Sequence, residues 1–158
     1  MCHYCGCHEI PLIKEFIAEH ESVTDTAGDA LRALDRGDPD RAVELVTRMG
    51  RELIAHWQGE EDGLFAVMGG DAEYAGYIDA LVREHRELAA FLERVDLRRA
   101  GDVVQLREAV DELHGHIAKE EDGLFPASLT ALSGAEWDRS MAAWRAAHPD
   151  APGDLGRP

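Results

Sequence analysis

The ten residues His56-Trp57-Gln58-Gly59-Glu60-Glu61-Asp62-Gly63-Leu64-Phe65 recur downstream as His116-Ile117-Ala118-Lys119-Glu120-Glu121-Asp122-Gly123-Leu124-Phe125. Seven of the ten positions are identical, which marks an internal repeat. A weaker echo precedes each copy: Glu19-His20-Glu21 returns as Glu84-His85-Arg86-Glu87, behind apolar residues both times. The chain therefore divides into two similar halves, roughly residues 10–68 and 72–132. Each supplies a lone histidine and then a His-x-x-x-Glu-Glu unit.

Apolar residues around these motifs keep helical spacing. Pro11 suits the first turn of a helix, where its missing N–H costs nothing. Ile13, Phe16, Ile17, His20, Val23, Ala27, Leu31 and Leu34 then form one face, ending near Gly37. Asp38-Pro39 restarts the chain with a capping residue and a first-turn proline. Val46, Met49, Leu53, His56, Glu60, Leu64 and Met68 line the second helix as far as Gly69-Gly70. The third stripe, over about 72–99, is Tyr74, Ile78, Leu81, His85, Leu88, Leu92 and Val95. The fourth, capped by Asp102, is Leu106, Val110, Leu113, Ile117, Glu120, Leu124 and Leu132, with His116 beside Ile117.

Pro126 is expected to bend this fourth helix. Gly63 and Gly123 weaken the same place in both halves, by about 1 kcal/mol each relative to Ala. Ser133-Gly134-Ala135-Glu136 reads as a capping box for a short fifth helix with Trp137, Met141 and Trp144 on one side. The expected fold is all-α: an up-down-up-down four-helix bundle over residues 10–132, a short amphipathic helix over 133–148 and a flexible tail over 149–158.

Acidic residues outnumber basic ones by 32 to 16, for a net charge of −16. That argues against nucleic acid or an anionic membrane surface as partner. No apolar run approaches the roughly 20 residues that span a bilayer. The start, Met1-Cys2-His3-Tyr4, lacks the basic and apolar regions of a secretion signal, so a cytoplasmic location is expected. The three cysteines all fall within Cys2–Cys7 and offer no disulfide framework. Residues 1–9 form a Cys/His-rich extension. Cys2, Cys5 and Cys7, beside His3 and His8, read either as a flexible reduced tail or as a secondary metal or redox site.

The anomaly is where polar residues sit. His20, His56, Glu60, His85, Glu120 and His116 occupy or border stripes otherwise filled by Leu, Ile, Phe and Met. Burying unpartnered carboxylates and imidazoles is costly. With a rise of ~1.5 Å per residue, all four histidines should meet in one slice of the bundle. A spacing of four places Glu60 beside His56 and Glu120 beside His116. Four imidazoles and two carboxylates in a bundle core suit two transition-metal ions, with Glu60 and Glu120 able to bridge. Iron suits this donor set best, with manganese or zinc as options.

Glu61 and Glu121 stand about 100° around an ideal helix from the proposed ligands. They are expected to hydrogen-bond the histidines or to face solvent; a locally irregular helix would let them exchange roles with Glu60 and Glu120. Glu19 and Glu84 read as surface charges, His114 as a surface residue and His148 as inert. Trp57, Phe65, Tyr74, Tyr77 and Phe125 read as core.

The paired motifs, an isolated His and then His-x-x-x-Glu-Glu followed by Leu-Phe, resemble the hemerythrin-like (HHE cation-binding) family. The resemblance covers roughly residues 10–132. It implies a four-helix bundle around an oxo- or hydroxo-bridged di-iron centre with ligands His20, His56, Glu60, His85, His116 and Glu120. Oxygen-carrying hemerythrins have a further histidine one turn after the third-helix ligand; Ala89 stands there in this chain, and Thr24 at the matching first-half position. A site short of one nitrogen ligand favours chemistry on peroxide, dioxygen or nitric oxide over reversible oxygen carriage. A catalase-like di-iron oxidoreductase is one expectation. A non-enzymatic iron, oxygen or redox sensor or iron reservoir is another, and a structural zinc bundle a third. A monomer or weak homodimer is expected.

Overall fold

The computed structural model describes residues 6–151. A 3-10 turn, Cys7–Glu9, leads into α1 (Pro11–Asp35). α2 (Pro39–Gly59) continues through a π-helical turn, Glu60–Leu64, into α3 (Phe65–Met68). α4 is Ala72–Arg94. α5 (Ala100–Lys119) runs through a second π turn, Glu120–Leu124, into α6 (Phe125–Ala131). α7 is Gly134–Ala147. No strand occurs among the described residues.

Local chemistry sets these boundaries. Gly37 takes φ +75°, a conformation glycine adopts without penalty, and Asp38 accepts from the Arg41 N–H at 3.0 Å to open α2. Asp71 opens α4 by accepting from Glu73 N–H at 2.9 Å. Glu136 reaches back to the Ser133 N–H at 2.8 Å, as expected of a capping box. Asp102 is not the cap of α5: that helix starts at Ala100, and the Asp102 carboxylate accepts from Asp96 N–H at 2.8 Å across the connection.

Pro126 is not the cause of the irregularity in the fourth rod. The π turn lies upstream of it, and its twin occupies residues 60–64, where Ala66 stands in place of the proline. Both π turns coincide with the shared Glu-Glu-Asp-Gly-Leu segment. In each, the N–H of the following phenylalanine bonds to the carbonyl of the first glutamate. Such single-turn insertions concentrate at functional sites. In the second half the Tyr77 hydroxyl donates to the Lys119 carbonyl at 2.7 Å, one residue before the turn. Tyr77 is thus a half-exposed brace (40% exposed) rather than core.

α1 packs on α2 and α5, and α4 packs on α2 and α5, closing a ring of four rods. Their interior is two apolar layers. One holds Val23, Met49, Leu53, Phe91, Leu106 and Leu113; the other holds Leu12, Phe16, Leu64, Phe65, Leu81 and Phe125. The polar residues of the repeat lie between these layers along every rod. α7 rests on the second layer through Trp144 and against the first π turn. It approaches so closely that a Cβ on Gly63 would lie 2.9 Å from the Ser140 carbonyl oxygen. Gly63→Ala should therefore loosen α7 and cost about 1–3 kcal/mol, read by denaturant unfolding and by amide exchange in residues 134–147. Gly115→Ala, in α5 with nothing within 4 Å of the new methyl, should be neutral or stabilising by up to about 1 kcal/mol.

Candidate metal centre

The six residues singled out by their helical stripes converge. His20 comes from α1, His56 from α2, His85 from α4 and His116 from α5, while Glu60 and Glu120 open the two π turns. All six are buried, with both glutamates at 0% exposure. One atom from each of His20, His56, Glu60 and Glu120 falls within a 4.8 Å cluster, and so does one from each of His85, His116 and Glu120.

Each carboxylate spans the two halves of the chain. Glu60 lies 3.3 Å from Nε2 of His56 through Oε1 and 3.6 Å from Nε2 of His85 through Oε2. Glu120 lies 2.9 Å from Nε2 of His116 through Oε1 and 3.1 Å from Nε2 of His20 through Oε2. None of these four oxygens is in a hydrogen bond. Four buried, unsatisfied carboxylate oxygens in a folded core need an explanation.

The imidazoles sharpen the question. Every Nδ1 faces an outer carboxylate: His20 to Glu121 at 2.9 Å, His56 to Glu19 at 2.7 Å, His85 to Glu61 at 2.8 Å and His116 to Glu84 at 2.7 Å. An ionised carboxylate only accepts, so each Nδ1 carries a proton, and each Nε2 points inward, where it presents a lone pair once its ring is neutral. Those inward nitrogens stand in pairs, His20 to His56 at 3.1 Å and His85 to His116 at 2.9 Å. Lone pairs at that distance repel unless a proton or a cation lies between them. The donors therefore fit metal ions: imidazole nitrogens and carboxylate oxygens aimed inward, with their outer partners in place.

The outer contacts obey the repeat. His56–Glu19 matches His116–Glu84 within each half, whereas His20–Glu121 and His85–Glu61 cross between halves. The glutamates at 61 and 121 thus accept from histidines, one of the two roles expected of them. Glu19 and Glu84 are not surface charges: they accept from the other two histidines. The available signal was that each directly precedes a buried histidine. His148 is not inert either; its Nε2 lies 2.7 Å from Glu19. His114 is exposed and donates to the Val110 carbonyl at 2.8 Å. The stacking also repeats: the Phe125 ring lies over His20 and Phe65 over His85. Trp57 covers His85 as well, with centroids 4.9 Å apart.

Burial holds the Glu60 carboxyl well above the usual range, and the neighbouring Glu120 charge pushes the same way. Burial also opposes ionisation of Glu120, but contacts with His116, His20 and His85 outweigh it and hold that group well below the usual range. Burial pulls His20 down, yet the Glu120 and Glu121 carboxylates against its two nitrogens raise it to about 9. Burial lowers His56 despite Glu19.

Thr24 turns its hydroxyl onto the His20 carbonyl at 2.8 Å, and Ala89 packs against the first apolar layer; neither reaches the cluster. Cys7 belongs to the fold rather than to a flexible tail: it is 1% exposed in the 3-10 turn against α1 and α6 and joins neither converging group. Cys2 and Cys5 lie outside the described residues, as do residues 152–158 of the expected tail.

Searches of curated proteins and of solved structures found no match. A protein-family model, the hemerythrin HHE cation binding domain, matches residues 12–128. That span reaches into all four rods and includes all six converging residues, and the chain belongs to the hemerythrin HHE cation-binding domain family.

Proposed function

We propose that this chain is an up-down-up-down bundle holding two iron ions, and that it binds or acts on peroxide, dioxygen or nitric oxide. The observation that carries the reading is the set of four orphaned oxygens on Glu60 and Glu120, each carboxylate reaching a histidine from both halves. His20 and His56 would hold one ion, His85 and His116 the other, and the two glutamates would bridge. Iron bound there would supply the capacity to exchange electrons with a small oxidant or to hold a diatomic ligand.

The chain's own residues prepare the rest. Glu19, Glu61, Glu84 and Glu121 retain the Nδ1 protons, which leaves every Nε2 free to donate to a metal. The two apolar layers keep water from the carboxylates and strengthen every charge interaction between them. A cleft of about 670 Å³ between α4 and α5 is lined by His85, His116, Trp57, Glu84 and Lys119. A diatomic molecule or peroxide entering there would meet the His85/His116 half first. No helix among the described residues is long and apolar enough to cross a membrane.

The test is anaerobic loading with ferrous iron, oxidation, and an absorption spectrum with and without azide. Two iron atoms per chain and azide-sensitive bands of a coupled ferric pair are expected. Failure to retain iron would reject the reading. Peroxide loss no faster than with free iron, at full occupancy, would reject the oxidoreductase half of it.

A further inference from the structure

The last helix grips the outside of the centre, and it does so on one side only. Trp144 Nε1 donates to Glu19 Oε1 at 2.9 Å, and His148 Nε2 lies 2.7 Å from the same oxygen. The other Glu19 oxygen takes the Nδ1 proton of His56 at 2.7 Å. Trp144 is buried, and its ring stacks on His148 with centroids 4.5 Å apart. A continuous path of hydrogen bonds and ring contact thus runs from α7 through Glu19 to a histidine that faces the carboxylate pair.

The repeat shows that this arrangement is specific to the first half. Glu84 is the counterpart of Glu19, and it is held by the Lys119 ammonium, a side chain 47% exposed at the rim of the cleft. The position matching Lys119 is Gly59. A Cβ there would stand 3.2 Å from Trp144 Cδ1 and 3.4 Å from its Cα, so any side chain at 59 would crowd the docked α7. A buried indole and an imidazole fix the outer carboxylate in one half, where a solvated lysine does so in the other.

We infer that Trp144 and His148 are positioning residues for the His20/His56 half of the centre, acting through Glu19, so that docking of α7 and metal occupancy of that half are linked. The inference rests on the metal reading above. Partners one step behind a ligating histidine fix its tautomer and ring orientation. With α7 undocked, Glu19 loses both of its restraining donors while its bond to His56 has to be kept against water. The α7 segment is 14 residues, short enough to be marginal as a helix by itself, so its docking is open to being tipped. Linkage is reciprocal: whatever α7 adds to metal affinity, metal adds to α7 docking.

The experiment uses cobalt(II) as the probe on the full chain, followed by its visible absorption, with amide exchange read over residues 134–147. Wild type should take up two ions, and exchange in α7 should slow when they bind. Trp144→Phe keeps the ring and removes the N–H. It should weaken one of the two ions by about tenfold to a hundredfold, leave the other unchanged, and abolish the metal-dependent protection of α7. Trp137→Phe, on the same helix and packed on the second apolar layer, should leave both ions as in wild type. Wild-type protein that binds no cobalt would sink the metal reading itself. Two ions bound identically by wild type and Trp144→Phe would overturn the linkage alone. Should Trp144→Phe fail to fold, the wild-type comparison decides: α7 exchange that ignores bound cobalt overturns the inference.

Discussion

Glu60→Leu should stabilise the metal-free protein and destabilise the metal-loaded one. Glu60 is fully buried, neither of its oxygens has a hydrogen-bond donor, and burial together with Glu120 holds its carboxyl well above the usual range. A carboxyl so placed contributes little to the apo fold and has lost its hydration. A leucine of similar reach would join the apolar layers around it, where Leu64 and Phe65 already pack. Replacing buried charged groups with apolar ones is often worth about 1–4 kcal/mol, and the metal-free variant should gain within that range. With metal the sign reverses. Ligand-linked stabilisation is about 4 kcal/mol when free metal exceeds the dissociation constant a thousandfold, and a variant without the Glu60 carboxylate should forfeit most of it. Melting curves with chelator and with ferrous iron give both numbers. Destabilisation of the variant under both conditions would mean that Glu60 is an ordinary structural residue.

The gap in stability between metal-loaded and metal-free protein should widen as pH rises from about 7 to 9. His20 is raised in the fold to about 9 from an ordinary value of 6.5. Its contribution is therefore fully present below 6.5 and is lost as pH climbs through 9. Glu60, also raised, acts in the same direction, because its protonated form is the one the apo fold favours. His56, lowered by burial, works oppositely, but its gain is complete near its ordinary value of 6.5 and adds little above pH 7. The metal-free protein thus loses stability across this window. Metal ligation needs neutral imidazole and ionised carboxylate, so its affinity rises as protons leave. Calorimetric melts at pH 7, 8 and 9, with and without iron, measure the gap. A gap constant in pH would show that no proton is displaced on binding. Proton release on metal addition at pH 7, followed with an indicator dye, should agree in sign.

The helices and the inner six residues were legible because both depend on short-range periodicity. Spacings of three and four place His56 with Glu60, His116 with Glu120, and each set with its Leu, Phe and Met neighbours on one face of one rod. A polar residue inside an apolar stripe is visible without any partner in view. The capping role of Asp38 and the Ser133–Glu136 pair were equally local. Asp102 looks like a cap in the sequence, but its carboxylate is used across a turn, by Asp96, rather than within its own helix.

Composition and period by themselves determined four amphipathic rods, a duplicated His/Glu set and its inward placement. Only the tertiary structure decided who stands behind that set. Which carboxylate meets which Nδ1 depends on the rotation and height of one rod against another, and no spacing within a single rod records those quantities. That is why the crossed pairs His20–Glu121 and His85–Glu61, and the roles of Glu19 and Glu84, emerge only from the packed bundle. It is also why Gly63 reads only as a weak point in a helix, whereas in the fold Gly63 and Gly59 leave the gap into which α7 settles.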